Sequence, residues 1–324
     1  KLELNMAYQT GNASSVVDLL SKLAKFAQSV DGWVVDKIDT KAKELYLHNE
    51  NCFWSLRVGA SNSLPTLYIV INNQFNANLS WDNQAGSSSV NGKANFYSYY
   101  WGAGTNFHHE PFASYTFLAT TQYIHVVVRV DSRRFRHFGF GTLKKDGIYN
   151  DGHYAYGTHS TNTNDTSQAS YPFTSDMYLF IGSREYRSFA NVVRVNKKDY
   201  FFGANESGYE GIGAIGIGDA TIQRDMKRHP DMLLVEASLS QFNNLITLVP
   251  QSIYLHLASE QYQRIGVVPD FYVARIDSVV PGTIREINGE KYYCCAATMF
   301  QTVTSNVKDE DNSYDLGYFY RVIE

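Results

Sequence analysis

The chain has 324 residues and a net charge of −4, with 28 Lys plus Arg against 32 Asp plus Glu. Hydrophobic residues at 44% and charged residues at 19% exclude an extended disordered chain. The absence of a basic excess argues against a free nucleic-acid binder, whose affinity depends on neutralising phosphates. The 24 Tyr, 19 Phe and 4 Trp favour half-buried pleated surfaces and protein contacts. Three cysteines, Cys52, Cys294 and Cys295, are odd in number with two adjacent, so no disulfide framework is expected and a reducing compartment is. The sequons at Asn12, Asn78, Asn164 and Asn205 fit chance in an Asn-rich chain. No leader-like segment opens the sequence as given and no apolar run reaches membrane-spanning length, so a soluble protein without a membrane span is expected.

The first element is a helix. Val16, Leu19, Leu20, Leu23, Phe26, Ala27 and Val30 form one apolar stripe. Ser15 with Asp18 gives a capping-box-like start, and Gly32 a stop. Strands are expected at 33–38, 45–48, 53–58 and 67–71, where short β-branched or aromatic runs lie between turn signals. Residues 72–104 read as long loops with one edge strand. The nearly continuous apolar run 123–130 predicts a strand buried on both faces. Asp131 and Ser132 turn the chain into a hairpin partner at 133–140.

Residues 145–170 read as loop-rich, with a polar tip at 161–167. Strands follow at 177–181 and 191–195. The glycine-rich stretch 203–219 is where a subdivision into units 1–202 and 203–324 would fall, the alternative being one compact unit. Beyond it come an apolar run at 245–257, a hairpin of 283–287 with 291–299 about Asn288–Gly289, and a closing strand at 318–323. The expected class is mainly β with an N-terminal α-helix, sandwich-like or mixed α+β, with antiparallel sheets.

Candidate chemistry is sparse. Gly211, Gly213 and Gly216 spell G-x-G-x-x-G, with Glu236 beyond, but polar residues rather than a strand precede them, so a glycine-rich strand or loop is preferred to a dinucleotide site. His108, His109 and Glu110 are adjacent, so strand geometry would point them apart, and no H-E-x-x-H pattern occurs. His153 and His159 are placed on loops. Cys294–Cys295 lacks a C-x-x-C companion and reads as structural. Asp146, Asp151, Asp165 and Asp176 are loop carboxylates with no evident pair. No cofactor or metal is expected, and no enzymatic activity.

The richest stretch is 133–140, Arg-Arg-Phe-Arg-His-Phe-Gly-Phe. Its end approaches an RNA-recognition pattern, but His137 replaces the glycine and no second such strand accompanies it. By strand parity Arg134, Arg136, Phe138 and Phe140 share one face, and Arg133, Phe135, His137 and Gly139 the other. Arginines beside aromatics suit subunit contacts, so Arg133, Arg134, Arg136, Phe138 and Phe140 are candidate contact residues; the alternative is an arginine row over a core.

Several segments resemble a family of tailed-phage virion proteins. VDLLSKLAKFAQSVDGW (17–33), LYLHN (45–49) and FWSLR (53–57) are similar to the family's opening, and RFRHFGFGTLKKDG (134–147) to its central segment. INGEKYYC (287–294) and DLGYFYR (315–321) are similar to its closing hairpin and strand. The resemblance implies a structural role in the virion, at the tail or baseplate, assembled with other virion proteins and further copies of the same chain. The cysteine usage adds the expectation of synthesis in the host cytoplasm, and the absence of a global positive charge argues against direct contact with nucleic acid. The resemblance transfers no active-site residue. Two alternatives stay open. A binding module would stack Trp81, Tyr97, Tyr99, Tyr100 or Trp101 on host-surface glycans, and a tail-associated polysaccharide-degrading enzyme would use loop aspartates.

Overall fold

A computed structural model describes residues 6–61, 64–81, 83–88, 103–107, 110–132, 134–158, 192–201, 214–216, 246–258, 261–276, 279–296 and 316–323. Among the described residues one helix, α1 (Val16–Gln28), stands among antiparallel strands, the mainly β class expected with its N-terminal helix. Its apolar stripe is buried, with Leu19, Leu20, Leu23, Phe26 and Ala27 in the core. Burial of each large side chain contributes about 1.5–3 kcal/mol. The Ser15 hydroxyl accepts from Asp18 N at 3.1 Å, and Asp18 accepts from Ser14 N at 2.8 Å. Glu110 reaches across the fold to accept from Val16 N at 2.6 Å, so two of the helix's orphan amides are satisfied by side chains.

A central seven-stranded sheet runs in the order β1 (Ala7–Ala13), β7 (Phe112–Ala119), β8 (Tyr123–Arg129), β9 (Phe135–Thr142), β11 (Asp151–Gly157), β12 (Val192–Val195), β13 (Lys198–Phe201). A five-stranded sheet, β2 (Val34–Asp39) through β3 (Glu44–His48), β4 (Phe53–Ser61) and β5 (Leu64–Asn72) to β6 (Ala103–Asn106), packs on one face together with α1. A C-terminal sheet packs on the other. Its order is β14 (Ala214–Gly216), β15 (Val249–Ala258), β16 (Gln261–Arg275), β19 (Leu316–Val322), β18 (Glu290–Ala296), β17 (Thr283–Ile287), with β10 (Lys144–Lys145) pairing β16.

The result is a three-layer β-sandwich. Along β8, Ile124, Val126 and Val128 enter the helix-side core, while Tyr123 and Val127 enter the C-terminal core. A strand covered on both faces has no polar face to present, hence the continuous apolar run. Trp33 and Trp54 tie the helix-side sheet to the central one, donating from their ring nitrogens to the carbonyls of Thr120 (2.7 Å) and Tyr154 (3.3 Å). The Asn288–Gly289 hairpin is present, both residues having positive φ (53° and 80°), as a type I′ turn requires.

Three local expectations change. β11 is a strand inside the stretch read as loop, so His153 lies on a buried strand rather than a loop. β1 and the 15-residue β16 had no sequence signal. The expected strand at 177–181, the tip at 161–167, His108, His109, His159, Asp165, Asp176, Gly211, Gly213 and Glu236 lie outside the described residues. Of the glycine motif, Gly216 falls in β14.

Candidate contact surfaces

The β8–β9 hairpin places the candidate contact residues. Its register pairs Val128 with Arg136, Val126 with Phe138 and Ile124 with Phe140. Arg136, Phe138 and Phe140 share one face, as parity requires, but that face is covered by α1 and the helix-side sheet, and all three are fully buried. Phe140 lies against Trp33 and Trp54, each at 5.5 Å between ring centroids. The Arg136 guanidinium donates to the Phe135 carbonyl at 3.0 Å, and burial lowers its pKa to about 10. These three residues are core, not subunit contacts; the two flanking layers close over both faces of a strand whose sequence shows only which side chains point together.

Arg133 lies outside the described residues. Arg134 stays partly exposed at the hairpin tip, its Nε 2.7 Å from Asp131 Oδ2. Beside it Arg129 donates to the carbonyls of Asp131 (3.1 Å) and Ser132 (3.0 Å) and lies over the Phe135 ring.

Trp81 does not form a stacking platform. It is 3% exposed and packs with Tyr46, Tyr68, Val70 and Phe75 on the outer face of the helix-side sheet. Tyr97, Tyr99, Tyr100 and Trp101 lie outside the described residues. The loop over this face is clamped by Arg194. Its guanidinium forks onto Asp199 at 2.7 and 2.8 Å and donates to Asn73 Oδ1 (2.9 Å) and the Gly86 carbonyl (2.6 Å).

The chemistry-bearing side chains of the interior are engaged with one another. Between the central and C-terminal sheets, His125 Nε2 lies 2.9 Å from the Pro269 carbonyl and Nδ1 2.9 Å from the Tyr156 hydroxyl. His137 Nε2 lies 2.9 Å from the Ala296 carbonyl and Nδ1 3.0 Å from the Tyr320 hydroxyl. A carbonyl only accepts, so both Nε2 atoms carry protons and, in the neutral rings, both Nδ1 atoms accept from tyrosine. Gly139 makes room for this layer: a Cβ there would sit 2.7 Å from the Tyr156 ring.

Burial drives the His125 pKa down to about 3 and that of His153 to about 4. It pushes the Cys294 thiol up to about 12 and raises Cys52 and Cys295 well above the usual thiol range, so all three are protonated and poorly nucleophilic. Asp146 pairs with Arg264, and Asp151 accepts from Lys197 N at 2.6 Å. Among the described residues no group of three or more His, Cys, Asp or Glu could hold a metal ion, and no helix is long and apolar enough to cross a membrane.

What remains at the surface is apolar exposure at turns and edges. Ile148, between β10 and β11, is 109% exposed. Val280 and Ile284, at the start of edge strand β17, are 59% and 45% exposed. Neither feature was singled out from sequence. The available signal was an isoleucine alone between two Asp–Gly pairs, with no periodic apolar partner to carry it into a core. No family model matches the chain, and no curated protein matches it.

Proposed function

We propose that this chain is an architectural component of a tailed-phage virion, at the tail or baseplate, assembled with other virion proteins. The observation that carries this reading is where the phage-like segments fall. They build α1, β3, β4, β9, the β17–β18 hairpin and β19, one or more elements in each of the three layers. A resemblance distributed over a whole framework speaks for a shared scaffold rather than a borrowed loop. The surface chemistry supports the same role: the histidines and cysteines discussed above are spent in the interior, and the exposed features are apolar points suited to protein contact. The virion is its place of action, after synthesis in the host cytoplasm.

The test is quantitative mass spectrometry of purified particles, with copy number referenced to the major capsid protein. A few to a few tens of copies is the expected result. Hundreds would move the protein to the capsid surface or tail tube, and absence would overturn the virion reading.

A further inference from the structure

The two flanking layers are tied to the central sheet by different chemistry. On the helix side, cross-layer bonds run from the Trp33 and Trp54 indoles and from Asn49 Nδ2, which donates to the Thr121 carbonyl at 3.0 Å. Arg194 adds its bonds to Asn73 and Gly86. None of these groups changes charge between pH 5 and pH 7. His153 lies on this side, but its Nδ1 is 3.2 Å from Thr142 Oγ1 of its own sheet. On the C-terminal side the ties are histidines. His125 on β8 donates to the Pro269 carbonyl of β16. His137 on β9 donates to the Ala296 carbonyl of β18 and accepts from the Tyr320 hydroxyl of β19. The Tyr123 hydroxyl adds a bond to Asp270 Oδ2 at 2.7 Å, and Tyr293 one to Thr116. At the rim β10 pairs with β16, and Asp146 with Arg264.

Both rings are sealed from water, His125 at 1% and His137 at 0% exposure, and each spends both nitrogens on neutral groups. The titratable groups facing them are Tyr123, Tyr154 and Tyr156 from the central sheet, and Tyr318, Tyr320, Cys295 and Asp270 from the C-terminal one. Burial raises Tyr123, Tyr154, Tyr156, Tyr320 and Cys295 well above their usual values, so these stay neutral. Asp270 holds the Tyr123 hydroxyl and lies 3.9 Å from Arg321; carboxylates ordinarily titrate at about 4. Between pH 7 and pH 5 the two imidazoles are therefore the groups of this interface that can take up charge. The C-terminal layer is also separable along the chain. Its described strands, the two-residue β10 apart, all follow β13, the last strand of the central sheet. By contrast α1 and β2–β6 are inserted between β1 and β7 of that sheet. A contiguous segment docked on an otherwise finished sheet is suited to opening as a cooperative unit of its own.

We infer that the interface between the central and C-terminal sheets is an acid-sensitive clasp, in which protonation of His125 and His137 releases the C-terminal layer while α1 and the helix-side sheet stay docked on the central one. The direction follows from linkage. Closed, burial holds His125 down at about 3; opened to water, the ring titrates near 6.5. The open form takes the proton that the closed form refuses, so the clasp is intact above pH 6.5 and loosens as pH falls below it. For His125 alone the opening equilibrium shifts by about 25-fold between pH 7 and pH 5.

Native-state hydrogen exchange of the full chain tests this, followed by mass spectrometry at pH 7 and pH 5 with rates corrected for intrinsic exchange. Peptides from β15, β16, β18 and β19 are expected to be less protected than those from α1 and β3–β5 at both pH values, and to lose at least about 25-fold in protection at pH 5. His153→Gln should leave that loss unchanged, because His153 faces Trp54 and stays covered when the C-terminal layer opens. In the same variant α1 and β3–β5, which exchange through opening of the whole fold, should lose less protection than in wild type. His125→Gln, whose amide can donate to Pro269 and accept from Tyr156, should reduce the loss in the C-terminal strands. Equal protection of the two groups of strands at both pH values overturns the clasp, as does a loss below about 10-fold in the C-terminal strands. So does a loss there that shrinks with His153→Gln or persists undiminished with His125→Gln. The wild-type and His153→Gln measurements decide the question even where His125→Gln fails to fold.

Discussion

Acid should destabilise this protein before its carboxylates titrate. His125 is fully buried with its pKa lowered to about 3, opposed only by the hydrogen bond to the Pro269 carbonyl. His153, buried against Trp54, is lowered to about 4. In the unfolded chain both titrate near 6.5. As pH falls below 6.5 the unfolded state takes up protons that the folded state refuses, so stability is intact above 6.5 and is lost progressively toward the folded pKa values. Linkage gives about 2 kcal/mol lost per histidine between pH 7 and pH 5, about 4 kcal/mol for the pair. Asp18, held low by Lys22, contributes nothing in this window. Urea unfolding from pH 5 to 7, followed by fluorescence and far-UV dichroism together to check that the transition is two-state, measures the loss. His153→Gln should remove about half of the pH dependence. A wild type that loses less than about 1 kcal/mol across this range, or a His153→Gln variant that keeps the full slope, would refute the assignment of these rings as neutral and excluded from solvent.

Other substitutions separate core from surface. Phe140→Ala should cost about 3–5 kcal/mol in chemical denaturation, since the ring fills the space between Trp33 and Trp54. Arg136→Glu places a carboxylate in the helix-side core and should abolish soluble expression, whereas Arg134→Glu at the hairpin tip should cost no more than about 1 kcal/mol; equal behaviour of the two would contradict the layer assignment. Arg194→Lys keeps the charge but loses the fork to Asp199 and the bonds to Asn73 and Gly86. It should cost about 2–3 kcal/mol and speed proteolysis within 73–88, read by mass spectrometry of the first cleavage products.

The legible parts of the fold are those whose signal is local. The α1 stripe, the apolar run of β8 and the Asn288–Gly289 turn each state their structure within a dozen residues. β1, AYQTGNA, carries few large apolar side chains because among the described residues it pairs with one strand alone, β7. β16 hides its period because its pairing with β15 shifts register three times and because Asp270 takes a φ of +53° after Pro269. Parity along β9 sorted Arg136, Phe138 and Phe140 onto one face from the sequence alone. Whether that face meets water or another sheet depends on strands distant in the chain, and a single sequence carries no local trace of them.

The same distinction governs residues 134–147. Residues 134–147 contain β9, a strand enclosed by the two flanking layers. Their Phe-Gly-Phe pattern is set by packing: Phe138 and Phe140 fill the helix-side core, and Gly139 yields its space to Tyr156. Few other sequences fit between two sheets at this place, whatever partner the protein binds. Specificity for a neighbour is therefore to be sought where packing imposes least. The apex at Gly147 and Ile148 begins where the segment ends: Ile148 touches no core, and a Cβ at Gly147 would meet nothing within 4 Å. At such a position a substitution leaves the packing of the chain unchanged, so any effect it has reports on a contact outside the chain.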